Sequence, residues 1–454
     1  MPSSTQQRSN SSIKPPGGHK PSGTWLAEWD PESPDWEQDG GRSLANMTMW
    51  ITTFNLTMAF VVWFVVSALV VRLEFVGFSL STSQLYWLTA MPGLAGGTMR
   101  LVHMFLTPRF GTRHVVTFSS LSLLIPLIAW SIVVRDPNTS FGVLLTCAFL
   151  AGLGGGNFSS FMPSTSLFFP KRRLGTALAV QAGVGNFGVS LVQFIVPWVI
   201  GFSILGSAHA TSAGTSLWLQ NATLIWIPFV LIGSILAWTK LKSVPVRANM
   251  REQMDIFRFR HTWTMTSLYV MTFGTFSGFA MVFPALIKTQ FGDFDNAPVP
   301  LTFAFLGPLV GSIARVVAGP LSDRFGGARI THISGIGLLA SIVFTTMYVV
   351  PESRADFTPF LWGMLAIFLF SGFGNASTFK QIPGIFPTRQ AAGVIGWTAA
   401  IAAYAPFVFG MLIATISAAT GTPRPFFIGL AVFYVFNIAI NWWSFTRRGA
   451  KTPC

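Results

Sequence analysis

Acidic side chains are missing where this sequence is most apolar. Its 15 aspartates and glutamates all fall outside the long apolar runs, which excludes a membrane-embedded carboxyl pair for catalysis or proton relay. Cysteine is scarce as well: Cys147 lies in an apolar run and Cys454 is the last residue, so no disulfide framework is expected. The six histidines have no metal-like spacing and no nucleotide-binding loop is present, so neither a metal, a cofactor nor an enzymatic reaction is expected. Roughly the first 44 residues are polar and hold no apolar h-region, so no cleavable signal is expected either.

What is present is hydrophobic: 51% of residues are apolar and only 10% are charged. Twelve apolar runs, near 47–71, 84–107, 114–134, 141–169, 174–201, 222–240, 263–287, 300–321, 328–350, 358–383, 390–416 and 425–446, are each long enough to cross roughly 30 Å of hydrocarbon as a helix. The expected fold is an all-α integral membrane protein of twelve transmembrane helices. The net charge of +14 does not indicate nucleic acid, because its distribution follows the membrane. With the N-terminus inside, 21 lysines and arginines fall on the inner side, five on the outer side and three within runs. That asymmetry fixes the orientation, with both termini cytoplasmic. The expected parts are an N-terminal tail (1–46), a six-helix bundle (47–240), an inner linker (241–262), a second six-helix bundle (263–446) and a short tail (447–454). No signalling domain is expected in either tail, which argues against a sensor that only binds.

The halves repeat. Span 2 ends Gly96-Gly-Thr-Met-Arg100 and reaches Arg109-Phe-Gly111 nine residues later; span 8 reads Gly311-Ser-Ile-Ala-Arg315 and reaches Arg324-Phe-Gly326 at the same interval. Span 4 contains Gly156-Asn-Phe-Ser-Ser-Phe161, and span 10 contains Gly374-Asn-Ala-Ser-Thr-Phe379. Two matched pairs in the same order indicate duplication of a six-helix unit.

Three basic side chains remain inside the runs: Arg100, Arg315 and Lys380. A charge at mid-membrane is costly and marks function by default. With no acid to pair it, the expected partner is an anion. Nine residues of helix is roughly 13 Å, which puts Arg100 and Arg315 near the midplane on opposite halves. Guanidinium is flat, permanently charged and suited to a planar oxyanion. The alternative is that each arginine is consumed by backbone carbonyls. Tyr269 and Phe273 share a helix face one turn apart; Phe158 follows Gly155 and Gly156, and Asn186 lies within the cluster of Gly183, Gly185 and Gly188. His103 lies one turn beyond Arg100. His103 and Lys380 are candidate coupling bases, with a packing histidine and a lysine bound to a carbonyl as the alternatives.

This pattern resembles the major facilitator superfamily: two six-helix halves, a long central inner loop and a Gly/Asp/Arg-rich turn after spans 2 and 8. From Trp29-Asp-Pro-Glu32 onward the chain resembles the NarK-type nitrate/nitrite porters, most specifically in Gly183-Val-Gly-Asn-Phe-Gly188, in Gly374 to Phe379 and in the arginine pair. The resemblance implies two pseudo-symmetric bundles with substrate between them. It implies an anion pocket formed by Arg100, Arg315, Phe158, Asn186, Tyr269 and Phe273. Gly155, Gly183, Gly185, Gly188, Gly374 and Ser377 are expected in packing or gating, and Asp323 and Arg324 in an inner latch whose span 2 copy lacks the aspartate. The expected activity is nitrate and nitrite transport, leaning to proton-nitrate symport on account of Lys380 and His103, with nitrate/nitrite antiport or another small anion as the alternatives. The expected partners are the anion, protons and the bilayer, for a monomer in the inner membrane.

Overall fold

The computed structural model describes residues 24–26, 29–34, 36–37, 40–204, 206–210, 214–246 and 254–450. Its N-terminal half is built from α1 (Gly41–Val70), α2 (Thr82–His103), α3 (Leu106–Val133), α4 (Phe141–Ser166), α5 (Lys171–Val199) and α6 (Asn221–Lys240). Its C-terminal half is built from α7 (Arg260–Phe291), α8 (Pro300–Phe325), α9 (Gly327–Tyr348), α10 (Phe357–Ile385), α11 (Gly393–Thr420) and α12 (Arg424–Thr446). Eleven of these are long and apolar enough to cross a membrane. The remaining one, α2, is diluted by Arg100, His103 and a run of glycines and hydroxyl residues. It is held instead by a capping box, in which the Ser81 hydroxyl accepts from the Gln84 amide and the Gln84 side chain accepts from the Ser81 amide. Of the expected linker 241–262, Arg247, Arg251 and Glu252 lie outside the described residues, and α7 already begins at Arg260.

The halves meet where the repeat requires it. Helix α2 packs on α11 and α8 on α5, two contacts exchanged by the pseudo-symmetry, while α1 crosses α7 between them. The repeated Arg-Phe-Gly turn has a backbone reason: Gly111 and Gly326 take φ of 77° and 90°, a region closed to side chains at low cost. Inside the N-terminal half, a Cβ on Gly188 would lie 2.3 Å from the Thr57 carbonyl oxygen, so α5 can press on α1 only through a glycine.

Calling the face of the Arg-Phe-Gly turns inner, the protein is closed on its outer side. Every described residue of α1 from Asn55 to Val70 is buried. Among the described residues, polar contacts that join the halves there include the Lys288–Glu74 ion pair, Tyr86 with Thr289 at 2.8 Å, Gln193 donating to the Ala280 carbonyl at 2.9 Å and Ser190 donating to the Phe305 carbonyl at 3.1 Å. On the inner side, Pro163 of α4 and Pro383 of α10 are exposed.

The segment before α1 straps the inner face of the N-terminal half. Leu26 N donates to Ser243 O and Ser243 N to Thr24 O, both at 2.9 Å. The Trp29 indole donates to the Leu167 carbonyl at 2.9 Å. The basic run Lys171-Arg172-Arg173 has acidic partners in this strap: Glu37 pairs with Arg172 and Arg173, and Glu32 accepts from the Lys171 amide.

Candidate functional site

Arg100 is fully buried and held from two sides. Its Nε donates to the Gly155 carbonyl of α4 at 2.9 Å, and its Nη1 to the Ala399 carbonyl of α11, across the halves, at 2.8 Å. Both carbonyls sit close to irregularities, at Asn157 in α4 and at Ala403–Tyr404 in α11; the Ala399 carbonyl also accepts from the Ala403 amide at 3.2 Å. Carbonyls therefore do satisfy part of Arg100, as the alternative from the sequence allowed. Its Nη2 has no partner among the described residues, nor has Nη1 of Arg315, which is 2% exposed. Neither arginine forms an ion pair with a described carboxylate.

Aromatic rings take the place of carboxylates. The Arg100 Cζ lies 4.6 Å from the Phe158 centroid, 4.9 Å from Phe273 and 5.2 Å from Trp63. The Arg315 Cζ lies 6.0 Å from both Phe158 and Phe273 and 5.7 Å from Phe379. Such contacts attract a cation through the ring quadrupole without neutralising it. A single π-helical turn, Val270–Gly274, carries Phe273, and Tyr269 stacks on Phe273 at 5.4 Å and on Phe379 at 4.3 Å. The Tyr269 hydroxyl lies beside the Arg315 guanidinium without satisfying hydrogen-bond geometry.

The amide of Asn186 is fully buried, with neither polar atom bonded among the described residues. On α5, Gly183 meets Val316 of α8, and Gly185 and Gly188 meet Leu56 and Thr57 of α1. Asn186 falls between these directions, towards the gap between α1 and α8. The glycines themselves pack. So do Gly374, against Thr272 and Ser334, and Ser377, bonded to Thr331 at 2.8 Å. Gly155 has a second part to play, through its carbonyl on Arg100.

Lys380 requires a correction. It is not a buried charge without an acid: its side chain is 51% exposed and ion-paired with Asp323. Helix α10 reaches the open inner side there, so the lysine reads as mid-span in sequence but meets water in the fold. The aspartate of the inner turn thus pairs with α10, while Arg324 lies over Phe325 at 5.3 Å. His103 is buried and its Nδ1 is bonded to the Ser160 hydroxyl at 2.8 Å.

A major facilitator superfamily model matches residues 48–379. A probable nitrate/nitrite antiporter, NarK2 of Thermus thermophilus, is 60% identical over 95% of this chain and 99% of its own. The nitrate/nitrite transporter NarU of Escherichia coli is 35% identical over 93% and 96%, and the nitrite extrusion protein of Bacillus subtilis 25% identical over 88% and 95%. The chain is a NarK-type porter of the major facilitator superfamily.

As a member of that superfamily it is an integral membrane transporter of twelve helices in two halves, and its paired arginines occupy the same place in each repeat. Four participants in the porter's central cluster escaped the sequence reading: Phe379, Trp63 and the carbonyls of Gly155 and Ala399. Phe379 closes the repeated Gly-Asn motif, which was a usable signal. Trp63 stands in an unbroken apolar run, and backbone carbonyls have no signature.

Proposed function

We propose that this porter moves nitrate and nitrite across the membrane by alternating access, holding the anion between Arg100 and Arg315. One observation carries the reading. Two buried guanidinium groups from opposite halves each keep a free N–H, share the rings of Phe158 and Phe273, and face no described carboxylate. A small flat oxyanion supplies the missing charge and accepts the free donors. Phe158, Phe273, Tyr269 and Asn186 form the remaining walls. The names of the similar proteins specify which oxyanions.

We propose exchange of nitrate for nitrite as the coupling. Two fixed cations make the empty site costly to close, and an anion lowers that cost on the way in and on the way out. The proton-symport reading rested on two buried bases, of which Lys380 is at the inner surface and His103 is engaged with Ser160. Charge asymmetry supports a cytoplasmic position for both termini; we place the porter in the inner membrane as a monomer, since all the residues proposed for the site come from one chain. Proteoliposomes loaded with nitrite test the coupling: labelled nitrate should enter in proportion to internal nitrite and ignore a pH gradient. Uptake driven by the gradient into anion-free vesicles would restore symport through His103.

A further inference from the structure

Asn375 stands in the Gly-Asn motif of α10 and has no place in the site so far described. It is fully buried, and neither its Nδ2 nor its Oδ1 has a hydrogen-bond partner among the described residues. A buried polar side chain is almost always bonded, so one left open on both atoms calls for an occupant.

Its position says which occupant. On α10, Gly372 lies against the Gly311 carbonyl and Ala314 of α8, and Gly374 against Thr272 of α7. Helices α8 and α10 both run from the outer to the inner face. Three residues beyond Gly372, Asn375 therefore lies level with Arg315. Phe379 follows one turn later on the same face, and its ring is the one 5.7 Å from Arg315. The Asn375 direction falls between the α8 and α7 contacts, towards Arg315 and Phe273.

We infer that Asn375 is a further ligand of the transported anion, donating its side-chain amide to an anion oxygen beside Arg315. This rests on the arginine-pair reading above. Two free guanidinium N–H groups serve two oxygens, as in nitrite; a third oxygen, as in nitrate, needs a donor that adds no charge. An amide is such a donor, and a planar oxygen accepts two hydrogen bonds, so Asn375 from the C-terminal half and Asn186 from the other can both serve it.

The test is nitrate and nitrite titration of purified full-length protein, with thermal unfolding in sodium nitrate and in sodium gluconate, for the wild type, Asn375→Ala, Asn375→Asp and Arg315→Ala. Asn375→Ala should weaken nitrate binding about tenfold, the worth of a hydrogen bond to a charged group, and nitrite binding less. In gluconate it should unfold at the wild-type temperature or higher, because it removes an unpaired amide, while losing much of the stabilisation by nitrate. Asn375→Asp keeps the shape and should bind nitrate more weakly still. A lower unfolding temperature in gluconate for Asn375→Ala together with wild-type nitrate affinity would make Asn375 structural and overturn the inference. If Asn375→Ala does not fold, wild-type affinity in Asn375→Asp overturns it equally. Arg315→Ala separates the two readings: binding lost there but intact in both Asn375 variants sinks only the Asn375 assignment, whereas binding intact in Arg315→Ala sinks the arginine clamp.

Discussion

Phe158 of α4 and Phe273 of α7 face each other across the two halves, with centroids 6.3 Å apart and planes 29° apart. Both arginine guanidiniums lie within 6.0 Å of both rings. The two rings thus bring both guanidiniums together from opposite halves. The rings also keep water from the guanidiniums. Replacing either with alanine removes cation–π contacts of about 0.5–2 kcal/mol and admits water. Phe158→Ala and Phe273→Ala should each weaken nitrate binding by roughly tenfold or more, as read by titration calorimetry, with the protein still monodisperse on gel filtration.

The outer contacts make a conformational prediction. Glu74 and Lys288 come from opposite halves and pair on the closed outer side. In a Glu74→Cys/Lys288→Cys double variant, oxidation should crosslink the halves and stop counterflow, and reductant should restore it. Each single variant should keep exchanging under the same oxidant. Full transport by the crosslinked protein would show that the outer side need not open.

Lys380 offers a test of coupling. Since it pairs with Asp323 at the exposed inner end of α10, Lys380→Gln should retain nitrate–nitrite exchange within a few-fold of wild type. Asp323→Asn and the double variant should behave alike, because an exposed pair contributes little by itself. Exchange abolished in Lys380→Gln alone would return the lysine to the transport path.

The repeated turn and the strap make a stability prediction. Gly111→Ala places a Cβ at φ 77°, 2.6 Å from the Ser243 hydroxyl and 2.7 Å from the Trp25 ring. With ψ at 159° this backbone region is essentially reserved for glycine, and holding another residue there alone costs about 1–3 kcal/mol. Glu37→Gln removes two ion pairs whose side chains are 37% to 65% exposed, worth about 1 kcal/mol or less. Thermal unfolding in detergent should therefore drop further for Gly111→Ala than for Glu37→Gln. The reverse order would mean that the strap, not the turn, holds the inner face.

The twelve spans, their division six and six and the level of the two arginines were legible in the sequence, because apolar length and an interval of nine residues translate directly into depth. Lys380 was not, since hydropathy counts residues and cannot tell a helix end that reaches water from one that stays in lipid. Arg100 was half legible: its burial follows from its interval to Arg109, but its tether to the Ala399 carbonyl of the other half has no signature in the sequence, although Pro406 marks the break of α11 at Ala403–Tyr404. Asn375 is visible in the sequence only as part of a repeat; the fold alone reveals that both its polar atoms are open among the described residues. Trp29, noted only within a family motif, gains its meaning from the Leu167 carbonyl that it reaches.

The most direct measurement is nitrate binding to purified Arg100→Ala and Arg315→Ala, by calorimetry, beside counterflow in proteoliposomes. Both variants should insert and remain folded yet show no nitrate heat and no exchange, and lysine at either position should not restore wild-type affinity, because the flat fork is lost. Either alanine variant binding nitrate within a few-fold of wild type would contradict the account.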